Sequence, residues 1–382
     1  MLFKEVHTEW GRKTREVVDK RLMPITAEID RKGVYDPRNL DILIEENLIA
    51  PNIPREYGGA GISEFEFSEV MREISRASTS AASMTTCNLM AAYGLLAGAS
   101  EEQKKAILPK MATGEIIGTP AITEPGAGSD AAAMITRAER KGEKYVINGE
   151  KALVSWLGRA DIYLTFAKTD PDAGTKGITA FIVHNGNPGM TYGEPLRKMG
   201  QRGLATGKVF YKDCEVPVSD RVGEEGEGMH IMMELLNRSR LIVGFQSIGT
   251  AVSAYDAALA YAQKRIAFGK PIIAQQSIAF KLADMAIKLQ TAQTVVNQAA
   301  QKVDSGAKDY VFDVSVAKVY CAEISREICN EAIQIHGGMG YTDEHPVERL
   351  YRDQRVFEIY GGTSEIARMI ISRIISGKSK VK

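Results

Sequence analysis

Residues 278–303 read IAFKLADMAIKLQTAQTVVNQAAQKV. Ile278, Leu282, Met285, Leu289, Ala292, Val296, Ala299 and Val303 recur in alternating steps of four and three. That is the spacing of one apolar seam along a long helix, the pattern of a helix packed in a bundle. Comparable helical spacing covers about 229–264, 310–335 and 355–375. The C-terminal part, 227–382, is therefore expected to form a four-helix bundle. Upstream, 1–117 reads as a helical domain. Val17, Val18, Leu22, Ile25 and Ile29 give an amphipathic helix over 14–31, followed by helices at 36–49, 64–75, 80–96 and 101–111, the last closed by Gly114.

Between these parts the period changes. Tyr145-Val146-Ile147 precedes Asn148-Gly149, a strong hairpin-turn dipeptide. Runs at 162–166, 178–183 and 208–211 are rich in β-formers. Short strands at this spacing predict a small antiparallel barrel or sandwich over 118–226. The fold class is thus mostly α with a central β-domain.

Composition narrows the function. The chain has 382 residues, 48 Lys+Arg against 48 Asp+Glu, and 44% hydrophobic residues. A zero formal charge argues against nucleic acid or an anionic membrane as the main partner, and the lysines at 378, 380 and 382 make no basic tail. Cys87, Cys214, Cys321 and Cys329 are too few and too scattered for a disulfide framework. Cys321 and Cys329 read as small core residues. No signal core or membrane-length apolar run is present, so a cytoplasmic location is expected. The five histidines show no metal-ligand spacing, and no metal is expected.

Glycine-rich segments are the candidates for chemistry. Thr123-Glu124-Pro125-Gly126-Ala127-Gly128-Ser129-Asp130-Ala131 formally fits a dinucleotide fingerprint. That reading needs a βαβ unit, whereas the next elements look like an antiparallel hairpin. A surface turn, or a loop touching a flavin or phosphate, are the other readings. Gln334-Ile335-His336-Gly337-Gly338 reads as a helix end or a close backbone approach. Tyr360-Gly361-Gly362-Thr363-Ser364-Glu365 reads as a loop entering a helix, whose first amides suit an anion. Arg265-Ile266-Ala267-Phe268-Gly269-Lys270-Pro271 is a basic turn between two helices.

Together these segments resemble the acyl-CoA dehydrogenase family. AITEPGAGSD (121–130), RIAFGKPI (265–272), QIHGGMGY (334–341) and YRDQRVFEIYGGTSEIARMII (351–371) occur in the family's order. The resemblance spans essentially the whole chain and implies bound FAD, an acyl-CoA substrate, a homotetramer and an electron-transferring flavoprotein as electron partner. It places Thr123, Gly128, Ser129 and Ser155 at the flavin. It places Thr363 and Glu365 at the ADP moiety, and Arg265, Phe268, Gln276, Gln334, Gly337 and Gly338 at the FAD of a neighbouring subunit. Ser129, Asn237 and Arg240 fall on the acyl-CoA side.

The same resemblance exposes departures. Lys151-Ala152-Leu153-Val154-Ser155-Trp156 stands where the family commonly has K-x-W-I-T-N. Leu153 therefore replaces the usual Trp, and Trp156 is free to pack elsewhere. The family's base is a Glu just before the G-T-S turn, or in a minority a Glu on the first bundle helix. Here those positions hold Gly361, followed by Gly362, and Ser239. A serine hydroxyl is not ionised near neutral pH without a partner base. The accounts are a base from elsewhere with a cyclic or bulky acyl-CoA or enoyl-CoA, non-dehydrogenating chemistry as in the family's desulfinases, enoyl-CoA reduction, or a glutamate replaced at 361. The stretch 83–88 has neither the Asp of the cyclic-substrate members nor the Arg of the desulfinases. A binding protein that keeps the fold without the chemistry is the reading from another class.

Overall fold

The computed structural model describes residues 6–377; Lys378, Lys380 and Lys382 lie outside them. The chain opens with six helices: α1 (Glu9–Val17), α2 (Met23–Lys32), α3 (Pro37–Glu45), α4 (Glu64–Ala77), α5 (Thr79–Gly98) and α6 (Glu101–Thr113). The expected helix over 14–31 is interrupted by a π segment, Val18–Leu22. It lies just before Pro24, which has no amide to donate into the ladder. Local chemistry sets the other ends. Ser63 with Glu66, and Ser100 with Gln103, form capping boxes on α4 and α6, and Gly114 closes α6 at φ 77°.

Eight strands follow: β1 (Gly118–Ala121), β2 (Arg137–Lys141), β3 (Lys144–Ser155), β4 (Ile162–Lys168), β5 (Ile178–His184), β6 (Met190–Tyr192), β7 (Thr206–Pro217) and β8 (Arg221–Val222). Their order is β6-β7-β3-β2-β4-β5-β8, with β1 bonded to β4. Two expectations change here. The sheet is mixed, because β1 runs parallel to β4. The segment between them, which carries β2 and β3, supplies the long connection a parallel pair needs. Asn148-Gly149 is not a turn: β3 runs through it, and its register against β7 shifts there. Gly149 is required by crowding, since a Cβ would lie 2.4 Å from Thr136 Oγ1 and 2.7 Å from Thr136 Cα. The hairpin reverses instead at Gly142 (φ 64°).

The bundle is built from α7 (Gly228–Lys264), the small hairpin β9–β10 (Ile266–Ala267 and Lys270–Pro271), α8 (Gln276–Asp304), α9 (Tyr310–His336), α10 (Val347–Gln354) and α11 (Ser364–Ile375). On α8 the seam is buried from Leu282 to Val303, with Ile278 half-buried at its start. Cys321 and Cys329 are buried core thiols. The expected helix over 355–375 is broken. A 3₁₀ turn at Arg355–Glu358 gives way to a loop at 359–363, where Gly361 (φ 65°) and Gly362 (φ 91°) are left-handed. Among the described residues, no helix is long and apolar enough to cross a membrane.

At 37 residues, α7 is buried on nearly every side. It meets α4 so closely that a Cβ on Gly249 would lie 2.2 Å from Arg72 O and 2.9 Å from Ser75 Cβ. Ser75 Oγ donates to Gln246 O (2.8 Å) across the same contact. Gly249→Ala is expected to destabilise the protein by about 1–3 kcal/mol through overpacking, read as a Tm several degrees lower by circular dichroism. An unchanged Tm would show that the two helices have room to part.

Candidate active site

The loop at 359–363 meets α7 at its polar segment. A Cβ on Gly361 would stand 3.5 Å from both Ser239 Oγ and Val243 Cγ2. A Cβ on Gly362 would stand 3.7 Å from Arg240 Nη2. Gly361, Gly362, Ser239, Arg240 and Asn237, expected in one site, are therefore together. Ser239 Oγ already donates to Leu236 O (2.9 Å), and Asn237 Oδ1 accepts from Arg240 Nη1. At the next position, the Tyr360 hydroxyl donates to Gln246 Oε1 at 2.6 Å. Ser239, Val243 and Gln246 are spaced by four and three, so one face of α7 carries them.

A buried polar chain leads on from Tyr360. Gln246 Nε2 donates to Ser83 Oγ (3.4 Å), and Ser83 Oγ donates to Gln201 Oε1 (2.8 Å). The backbone amide of Gln201 donates to Asp353 Oδ1 (2.5 Å). Gln201 is held at φ 50°, a conformation costly for a side chain of this size. Burial sets the protonation of the chain. It raises the Tyr360 phenol above its ordinary range and pushes Asp353 up to about 6. One turn beyond Ser83, burial pushes the Cys87 thiol up to about 11, against the pull of the neighbouring Ser155 hydroxyl. Burial also lowers Lys198 to about 8, opposed by Asp353 and Cys87.

The loop after β1 is pinned from beneath. Lys151 Nζ, fully buried, donates to Glu124 Oε1 at 2.7 Å. Glu124 also accepts from the amides of Ile135 (2.6 Å) and Thr136 (3.1 Å), and Thr123 O accepts from Ala152 N (2.7 Å). Gly128 and Ser129 are left exposed on top. Residues 131–133 form only a 3₁₀ turn, so no helix follows the glycines as a dinucleotide fold requires. Leu153 (φ 56°) is exposed, whereas Trp156 (φ 58°) is buried and donates from Nε1 to Met84 O (3.3 Å).

The remaining expected residues form a second cluster. Arg265 follows the last residue of α7, 26 residues beyond Ser239, or about 39 Å along a continuous helix. Phe268 sits nearby on the β9–β10 hairpin, 94% exposed, and Gln276 starts α8, also exposed. Gln334, Gly337 and Gly338 end α9 at the same end of the bundle, where His336 stacks on Tyr261 at 4.3 Å. Within one chain these six residues do not reach the Gly361 loop. Thr363 caps α11 by accepting from Ile366 N (3.2 Å), and Glu365 is exposed in its first turn.

Sequence reading did not connect Gln201, Gln246 and Asp353 with the Gly361 loop, and it named Tyr360 and the stretch 83–88 without the hydrogen-bonded chain that joins them. The i, i+4 spacing of Ser83 and Cys87 was an available signal; nothing marked Gln201. Asp353 gives a pH test. Its carboxyl is raised from 3.8 to about 6, so the native state holds the extra proton between those values. Its stabilising contribution is fully present below about 3.8 and is lost as pH rises through about 6. The stability difference between the parent and Asp353→Asn is expected to shift by about 2–3 kcal/mol between pH 4.5 and 7, measured by urea unfolding. A flat difference would contradict the burial of this carboxyl.

Three family models describe the chain end to end. The acyl-CoA dehydrogenase N-terminal domain matches 4–115, the middle domain 119–214 and the C-terminal domain 226–376. An acryloyl-CoA reductase (NADH) of Anaerotignum propionicum is 39% identical, over 94% of this chain and 91% of its own length. A 3-(aryl)acrylate reductase of Clostridium sporogenes is 39% identical, over 97% of this chain and 99% of its own. The structure of butyryl-CoA dehydrogenase from Megasphaera elsdenii superposes with a TM-score of 0.94 at 33% identity, covering 98% of this chain and 100% of that one.

Proposed function

The chain belongs to the acyl-CoA dehydrogenase family, FAD-dependent flavoproteins acting on the CH–CH bond of acyl-CoA thioesters, and on that premise we propose that it works on an unusual, cyclic or bulky acyl-CoA or enoyl-CoA. The observation that carries this reading is the convergence of Gly361 and Ser239. Both positions the resemblance offers for a carboxylate base meet at one place, and neither holds one. The volume a glutamate side chain would take at 361 is, on this reading, used by a wider acyl group than a linear chain.

The residues present fit FAD. Gly128 and Gly338 leave open space where a Cβ would stand, Thr363 opens a helix N-terminus, and the buried Ser364 hydroxyl has no partner among the described residues. Thr123, Gly128, Ser129, Ser155, Thr363 and Glu365 would hold it in one subunit. Arg265, Phe268, Gln276, Gln334, Gly337 and Gly338 would hold it from a neighbour, which calls for a second copy of the chain; a homotetramer is the assembly the resemblance implies. Bound FAD supplies hydride exchange with the substrate β-carbon; the chain must supply or remove the α-proton.

The proton-bearing side chain next to Gly361 is the Tyr360 phenol, which burial raises above its ordinary range. A phenol so raised is a poor base at neutral pH and a weak acid as well, so it does not decide the direction. With no carboxylate at 361 or 239 to accept the α-proton, reduction of an enoyl thioester, with Tyr360 as the nearest proton-bearing group, is the second reading. Two relatives carry reductase names. Electrons would come from an electron-transferring flavoprotein in the cytoplasm. Nucleic acid and membrane play no part in this reading.

Anaerobic mixing of the holoenzyme with linear, branched and cyclic CoA esters tests it. Enoyl esters, cyclic ones above all, should reoxidise the reduced flavin faster than saturated esters bleach the oxidised flavin. Tyr360→Phe should slow that reoxidation by about 10²-fold. Faster bleaching by butyryl-CoA than by any cyclic ester would refute the proposal. Gly361→Glu should raise dehydrogenation of linear esters by about 10²–10⁴-fold, at a stability cost of about 1–2 kcal/mol for a side chain at φ 65°.

A further inference from the structure

Trp156 directly follows the last residue of β3. Its side chain is fully buried, and Nε1 donates to Met84 O of α5 at 3.3 Å. The half-buried Tyr35 packs on the indole at 6.0 Å, and Arg159 lies over the Tyr35 ring at 5.0 Å. The backbone at Trp156 is left-handed, with φ 58°. Its carbonyl accepts from Arg159 N (2.8 Å), Ala160 N (3.0 Å) and the Tyr163 hydroxyl (3.2 Å). A conformation so costly for a large side chain persists only where its surroundings over-determine it, and these bonds do so.

The turn brings two successive side chains to one helix. Ser155 neighbours the Cys87 thiol, and Trp156 reaches the Met84 carbonyl. Ser83, next to Met84, is tied to Gln201 and Gln246. Ser83 and Cys87 are four apart and share a face of α5. From Thr79 to Leu89 every residue of α5 is buried except Cys87, which is half-buried. Cys87 therefore marks where the helix opens. Burial first, then Cys87 and Asp353, raise the Tyr360 phenol, so that opening lies toward the Gly361 loop. A side chain as bulky as an indole, packed between the end of β3 and α5 with its N–H spent on the helix, fixes where α5 stands.

Resting on the reading above that the acyl group is wider than a linear chain, we propose that Trp156 is a positioning residue for substrate width. Its indole holds α5 against the end of β3, and so sets the distance from the Ser83–Cys87 face to the Gly361 loop. A displacement of about 1 Å in such a wall is enough to change a rate by about 10²-fold. A ring, which fills the gap from side to side, registers that displacement more than a linear chain does.

The test is calorimetric binding of cyclohex-1-enecarbonyl-CoA and crotonyl-CoA to the FAD-loaded, oxidised holoenzyme under anaerobic conditions. The parent should bind the cyclic ester more tightly. Trp156→Phe, which keeps a ring but loses the Nε1 donor, should cut that preference by about tenfold. Trp156→Leu should abolish it, and Tyr35→Leu, which loosens the packing on the indole, should cut it by a smaller factor. A merely structural role would weaken both esters alike; an unchanged ratio in Trp156→Phe would therefore overturn the proposal. Where Trp156→Leu fails to fold, as judged by circular dichroism, Trp156→Phe and Tyr35→Leu decide. If the parent itself binds crotonyl-CoA as tightly as the cyclic ester, or binds neither, the functional reading falls and takes this one with it.

Discussion

Everything near the candidate site depends on the burial of α7. A helix that packs on one side can keep its polar residues in water; one that packs on every side must satisfy them internally. Ser247 returns its hydroxyl to Val243 O (2.7 Å), and Thr250 to Gln246 O (3.1 Å). Gln246 instead reaches sideways, to Tyr360 on one neighbour and Ser83 on another. The polar lining is therefore fixed by the same contacts that hold the bundle to the N-terminal helices. Side chains carried on so constrained an element keep their relative positions better than loop residues do.

The second anchor is the Lys151–Glu124 pair. A buried ion pair is weak evidence of stability in itself, but losing one partner strands the other charge. Here it fixes an exposed loop. Glu124 collects two backbone amides from the far side of that loop, so Gly128 and Ser129 are presented on a rigid base although they make few contacts of their own. Precision at the sheet and precision at α7 have separate origins.

Much of this was legible in the chain. The four–three spacing of α8 is a local property, and packing had only to agree with it. The glycine loops were visible because glycine marks left-handed backbone and close approach, as at Gly361 and Gly362. Asn148-Gly149 misled because the same dipeptide serves a tight turn and a crowded strand; only the position of Thr136 distinguishes them. Gln201 lay beyond reach, since its role depends on Asp353 and Ser83, which are distant in sequence. Arg240 was expected on the substrate side, but its packing against Gly362 emerges only from the fold.

The paired left-handed glycines also bear on descent. Once a lineage places glycine at such a φ, neighbouring loops settle around a backbone that other residues enter only with strain. A glutamate introduced at 361 would meet that resistance at once, before any catalytic benefit accrued. Selection then finds it easier to elaborate what a glycine here accepts than to place a carboxylate there. On this view the loop works as a ratchet, steering its descendants toward new substrates.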